Sequence, residues 1–159
     1  MTVMLREYQI KAVEMARAEI RKGNKRILLV MATGSGKTAV LGDIASKANG
    51  KGNKILAMMH RRQLVTQMVD RFSEIGIDCG IIMAGIDSEL SKDVQVSTIQ
   101  TYHRRLLLDE LVSNRFFINA AVVMIDEAHH TLSKTYQDVL KHYQDKVIIG
   151  VTATPILST

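Results

Sequence analysis

The 159-residue sequence is 47% hydrophobic and 23% charged, with a single proline. That composition suits one domain with a sizeable core and excludes a disordered, collagen-like or low-complexity chain. Lysine and arginine number 21 against 16 aspartates and glutamates, a net charge of +5 that favours a polyanionic partner. The lone cysteine, Cys79, cannot form an internal disulfide, so no oxidising compartment is needed. The opening MTVMLREYQI lacks the long apolar core of a signal peptide, and no run of about eighteen apolar residues exists to span a membrane. The expectation is a cytoplasmic domain with no membrane partner.

In chain order, Leu5, Tyr8, Ala12, Met15, Ala16 and Ile20 recur at helical spacing until Gly23-Asn24. Ile27 to Met31 is a short apolar run that ends in a glycine-rich turn. Val40, Leu41, Ile44, Ala45 and Ala48 mark a second helix, closed by Asn49-Gly50. Ile55 to Met59 is the next apolar run, and Leu64, Val65, Met68, Val69 and Phe72 give a third helical stripe. Strand-like runs follow at Gly80 to Met83 and Val94 to Ser97. A helix through Leu106, Leu107, Leu111 and Val112 precedes the run Ala121 to Ile125. Tyr136, Val139, Leu140 and Tyr143 mark a further helix before a last strand at Val147 to Val151. Methionines such as Met15 and Met68 read as core packing. The strands are apolar without clean alternation, as strands buried on both faces are, and they alternate with helices. The expected fold is a single α/β domain with a doubly wound, mostly parallel sheet and a ligand at the carboxyl ends of the strands.

The segment Met31-Ala32-Thr33-Gly34-Ser35-Gly36-Lys37-Thr38 lies where such a ligand belongs, after a strand and opening a helix. Gly34 and Gly36 let the backbone turn tightly and aim N–H groups at phosphate oxygens, and the helix start adds partial positive charge. Lys37 can reach the β- and γ-phosphates of a nucleotide, and the Thr38 hydroxyl can ligate Mg2+. Met31 replaces the usual first glycine of the Walker A pattern, so the match is G-x-G-K-T. Thr33, Gly34, Ser35, Gly36, Lys37 and Thr38 are thus candidate ATP-binding residues.

The apolar run 121–125 leads directly into Asp126-Glu127-Ala128-His129. Asp126 can hold Mg2+ opposite Thr38, and Glu127 can polarise an attacking water. His129, His130 and the acids are an alternative metal cluster, but their spacing does not fit a structural zinc cage.

The phosphate loop and Asp-Glu-Ala-His together resemble the superfamily 2 helicases and translocases. Leu5-Arg6-Glu7-Tyr8-Gln9 looks like the N-terminal glutamine motif of that family, which makes Arg6 and Gln9 nucleotide-binding candidates. The Gln9 amide can pair with an adenine edge in both directions. His60-Arg61-Arg62-Gln63-Leu64 looks like motif Ia, Val96-Ser97-Thr98-Ile99-Gln100-Thr101 like motif Ib, and Gly150-Val151-Thr152-Ala153-Thr154-Pro155 like motif III. The wording is nearest to RadD-like bacterial helicases and the motor subunits of type I restriction enzymes.

The resemblance implies an N-terminal RecA-like helicase ATP-binding domain over residues 1–159. It also implies ATP and Mg2+ as ligands and nucleic acid, DNA rather than RNA, as partner. Lys37, Asp126, Glu127 and His129 are then the catalytic set, and Thr152 and Thr154 couple nucleotide state to the nucleic-acid path. Arg61, Arg62, Thr98 and Gln100 lie along one strand's backbone, a contact that positions without reading sequence. Such motors carry a second RecA-like domain with arginine fingers, and the 159 residues hold only the first. It would come in cis or in trans, and the chain alone is expected to bind ATP weakly and turn it over slowly. The alternative is a non-catalytic module that binds nucleic acid or protein.

Overall fold

The computed structural model describes residues 4–32, 36–112 and 117–153. Thr33, Gly34, Ser35 and Thr154 lie outside the described residues. The elements are α1 (Glu7–Arg21), β1 (Arg26–Val30), α2 (Lys37–Gly50), β2 (Ile55–Met59), α3 (Arg62–Glu74), β3 (Cys79–Ile82), β4 (Val94–Thr98), α4 (Ile99–Val112), β5 (Val122–Asp126), α5 (Lys134–Leu140) and β6 (Val147–Thr152). Short 3-10 turns at Ala128–Leu132 and Lys141–Tyr143 flank α5.

The six strands form one sheet in the order β1-β6-β5-β2-β4-β3, and every neighbouring pair is parallel. The chain runs outward from β1 to β2 and β3, then returns through β4, β5 and β6. Parallel crossovers are right-handed, so reversing the direction of travel moves the connecting helices to the other face. The two cores follow that rule. Val13 of α1, Leu41 of α2 and Phe72 of α3 share one apolar cluster, and Tyr102 of α4 and Tyr136 of α5 share the other. Strand β2 feeds both with a period of two: Ile55, Ala57 and Met59 point to the first cluster, Leu56 and Met58 to the second. A strand covered on both faces has no solvent side for a polar residue to occupy, which is why these runs lack alternation.

Two expectations change. Met15 is 60% exposed and Tyr8 44%, because the buried stripe of α1 runs through Gln9, Val13 and Ala16. Met15 stands next to Ala16, about 100° around the helix, and that step carries it to the solvent side; Met68 is buried as expected. The helix before β5 begins at Ile99, directly after β4, so motif Ib straddles the end of the strand and the start of the helix. Strand β1 is an edge strand whose side chains stay partly open, with Leu28 43% and Val30 52% exposed.

Under the second face a closed hydrogen-bond ring fixes the approach to β5. The Ile118 N–H donates to Tyr102 Oη at 3.1 Å. Tyr143 Oη donates to the Ile118 carbonyl at 2.6 Å, so the Tyr102 hydroxyl donates to Tyr143 Oη at 2.5 Å. Both tyrosines are fully buried, so no water can replace a lost partner. Tyr143→Phe opens the ring and leaves a carbonyl and a hydroxyl short of a bond, a loss of about 1–3 kcal/mol. Chemical denaturation should report that loss without a change in m-value; an unaltered midpoint would show the ring to be dispensable.

Candidate functional site

Strands β1, β5, β2 and β6 deliver the motif residues to one end of the sheet. Lys37 opens α2 directly after the loop that follows β1. The N-cap of α2 is Gly36, in the left-handed region at φ 79° and ψ 42°, with no capping side chain. No acidic residue stands in the first turn, so no carboxylate of that turn answers the positive helix end. Such a helix start accepts an anion. The loop is tied to motif III at its root: the Met31 N–H donates to the Thr152 carbonyl at 2.9 Å.

Gly36 is also a clearance. A Cβ there would collide with the side-chain amide nitrogen of Gln9. The glutamine is 6% exposed, and its Oε1 accepts the Arg6 N–H at 2.8 Å. Gln9 therefore lies against the start of α2, and its oxygen also closes the first turn of α1. Arg6 itself is exposed.

The acids converge on Lys37 from β5, two strands away. Lys37 Nζ lies 3.6 Å from Glu127 Oε1. Glu127 is the only non-glycine residue with positive φ among the described residues, at φ 54° and ψ 52°. That conformation is unfavourable for a side chain with a Cβ and is kept where the surroundings enforce it. It breaks the strand direction and swings the carboxylate across β6 toward α2. Asp126 ends the strand, with Oδ1 accepting the Glu127 N–H at 2.8 Å. Burial pushes the Asp126 carboxyl above its usual range, offset by that N–H; the Glu127 charge raises it further, and Lys37 and His60 pull it down. Close packing behind the turn comes from Gly150 on β6, where a Cβ would stand 2.7 Å from the Ala128 methyl.

His129 joins the acidic turn to motif III. Its Nδ1 lies 3.4 Å from Glu127 Oε2 and 3.0 Å from Thr152 Oγ1. A carboxylate only accepts, so the tautomer with a proton on Nδ1 satisfies this contact. Thr152 is fully buried at the end of β6.

The motif Ia and Ib residues sit on adjoining strand ends. Arg61 caps α3 in an extended conformation and is exposed, and the first turn of α3 carries no acid. Arg62 is exposed too, but its Nη1 donates to the Ala84 carbonyl at 2.9 Å and so ties α3 to the loop after β3. Gln100 is exposed and its Nε2 donates to the His60 carbonyl at 3.3 Å. Thr98 is only 4% exposed, so it lies beneath this surface and not on it. A cleft of about 340 Å³ separates the His60–Gln67 segment from Glu127, His129 and His130.

His130 entered the sequence reading only through the alternative metal cluster and His60 only within motif Ia, yet their rings meet here, with centroids 4.7 Å apart. Strand register held the signal. Met58 pairs with Ile125, so the residues just past β2 and β5 emerge side by side.

Comparisons with known proteins give the family and the fold. Residues 2–157 match the family described as type III restriction enzyme, res subunit. IRC3 of Saccharomyces cerevisiae, whose assigned activity is that of an ATP-dependent helicase, is 32% identical over 168 residues, covering 95% of this chain and 23% of its own. The type I restriction enzyme EcoKI endonuclease subunit of Escherichia coli is 30% identical over 185 residues, covering 98% of this chain and 16% of its own. The chain therefore spans less than a quarter of either relative. The SWI2/SNF2 ATPase core of Sulfolobus solfataricus, solved with double-stranded DNA, superposes with a TM-score of 0.73 over 98% of this chain and 33% of its own. At 21% identity that likeness is one of fold. The chain belongs to the type III restriction enzyme res subunit family, and it has the fold and motif order of the first RecA-like domain of a superfamily 2 helicase-type motor.

Proposed function

We propose that this domain binds ATP with Mg2+ at the start of α2 and couples its hydrolysis to movement along DNA. The observation that carries the reading is the Lys37–Glu127 contact at an uncapped helix start beside the Asp126 carboxylate. The donor chemistry fits the ligands. A threonine hydroxyl and a carboxylate are hard oxygen donors of the kind magnesium takes. Asp126 Oδ1 is engaged by a backbone N–H, and its second oxygen remains for the ion. Magnesium bound there would neutralise phosphate charge.

In this reading the amide groups at the start of α2 and Lys37 orient the triphosphate. Glu127 accepts a proton from the attacking water, and its strained backbone fixes where that carboxylate stands. His129 holds Glu127 through Nδ1 and reports its position to Thr152, at the base of motif III. A second RecA-like domain, in cis or in trans, closes over the Lys37–Glu127 pair and supplies the arginine that accelerates phosphoryl transfer. Support for that partner is the incomplete cover of the pair, with the Lys37 side chain 17% and the Glu127 side chain 28% exposed. Thr154, outside the described residues, belongs to the same coupling segment as Thr152.

The DNA path crosses the adjoining strand ends. Arg61, the acid-free start of α3 and Gln100 offer cationic and N–H groups to a phosphate backbone. Arg62 and Thr98 support that surface from behind, one pinning the loop at Ala84 and the other buried beneath it. Support for DNA as the strand is the net charge of +5 and the DNA-bound neighbour described above.

Calorimetric titration with Mg-ATP tests the nucleotide site. The wild-type chain should bind, and Lys37→Ala should lose binding by at least tenfold while its melting temperature holds; equal affinities would refute the assignment. Asp126→Asn separates metal chemistry from stability. Burial raises the folded-state pKa of Asp126 above its unfolded value, so ionising it costs stability as pH rises through that window. The neutral amide removes the cost and keeps the bond from the Glu127 N–H. Its expected Tm at pH 7 is higher than that of wild type, with magnesium-dependent nucleotide affinity lost. A lower Tm would reverse the account of that carboxylate. For the DNA path, Arg61→Ala should weaken oligonucleotide binding and reduce the salt slope by about 1; an identical slope would remove Arg61 from the interface.

A further inference from the structure

His60 stands between the two surfaces assigned above. Its backbone belongs to the DNA side: the carbonyl accepts from Gln100 Nε2 at 3.3 Å, and Arg61 is the next residue. Its ring belongs to the ATP side. The His60 and His130 ring centroids are 4.7 Å apart at a tilt of 47°, and those of His130 and His129 are 4.1 Å apart at 43°. His129 in turn contacts Glu127 Oε2 at 3.4 Å and Thr152 Oγ1 at 3.0 Å. An unbroken line of packed rings thus joins the end of β2 to the carboxylate that faces Lys37.

We infer, resting on the motor reading above, that His60 and His130 are positioning residues whose stacked rings transmit DNA contact at Arg61 and Gln100 to Glu127. Packing, not hydrogen bonding, holds the His60 ring, since its Nδ1 is buried with no hydrogen-bond partner among the described residues. Burial lowers the pKa of the ring first, then the neighbouring His130 and Arg61, with Glu127 and Asp126 opposing. The His60 ring is partly buried at the wall of the cleft and meets the exposed His130 ring there, so a shift of the His60 main chain changes what His130 packs against. A backbone phosphate that draws Arg61 and Gln100 outward moves the His60 main chain, and the ring line resets the Glu127 carboxylate. Coupling through these two ring contacts shows itself as a change in linked affinities.

The experiment measures Mg-ATP affinity of the purified chain with and without saturating oligo-dT, for wild type, His60→Ala and His60→Phe. Linkage in the wild type should be about fivefold or more. His60→Ala should bring it to about one, with each ligand's separate affinity within about twofold of wild type. His60→Phe should restore it, since the ring shape is kept, and should melt no lower than wild type because a buried unpartnered nitrogen is gone. Linkage retained in His60→Ala, or lost in both variants, overturns the relay and leaves the motor reading standing. A wild-type chain that binds ATP and DNA without linkage overturns both together.

Discussion

An ammonium and a carboxylate brought within 3.6 Å of each other from two different strands is the contact around which this molecule is arranged. Lys37 follows β1 and Glu127 follows β5, and β6 runs between them. Their meeting depends on register: Leu28 and Ile125 both pair with Gly150, so all three strands finish level. It depends as well on a left-handed turn at Glu127 and on a glycine at 150 that lets the turn settle onto β6. A register slip in either neighbour of β6 would exchange the faces of every side chain and dissolve the contact.

The site gathers features that a purely structural domain would avoid. Glu127 holds a backbone conformation that disfavours a side chain. Asp126 keeps a carboxyl where burial opposes its charge. His60 encloses a ring nitrogen with no partner among the described residues. All three lie at the carboxyl ends of β2 and β5, within reach of one another. Away from it, the ring of Tyr102, Tyr143 and Ile118 is closed, although Gln95 on β4 also buries a side-chain oxygen without a hydrogen-bond partner among the described residues. Several such departures gathered at one end of the sheet are what a working site looks like.

Much of this was legible beforehand. The alternation of apolar runs and helical stripes carried the parallel sheet, because a doubly covered strand tolerates almost no polar residue and so marks itself. Gly36-Lys37-Thr38 and Asp126-Glu127 stood out because those chemical types at a strand end suit phosphate and magnesium, and the structure brings Lys37 within 3.6 Å of Glu127. What was hidden depends on distance through space. Nothing in the spacing of Arg62 reveals a partner at Ala84, and nothing in the motif around Thr98 reveals that it is enclosed. The rotation of α1 was misread at Met15 because an apolar residue one step from the true stripe fits helical periodicity almost as well. His60 and His130 are far apart in sequence, and only the pairing of β2 with β5 makes them neighbours.

Strand β1 carries a different consequence. Among the described residues it bonds to β6 on one flank only, and it presents Leu28 and Val30 half open to solvent. It also leads directly toward the segment proposed to bind phosphate, so the least protected backbone ladder and the proposed nucleotide site are neighbours in the chain. Unprotected ladders invite foreign strands. Self-association of the isolated domain would therefore begin at the root of the phosphate loop, and loss of nucleotide binding would accompany the first aggregates instead of following them.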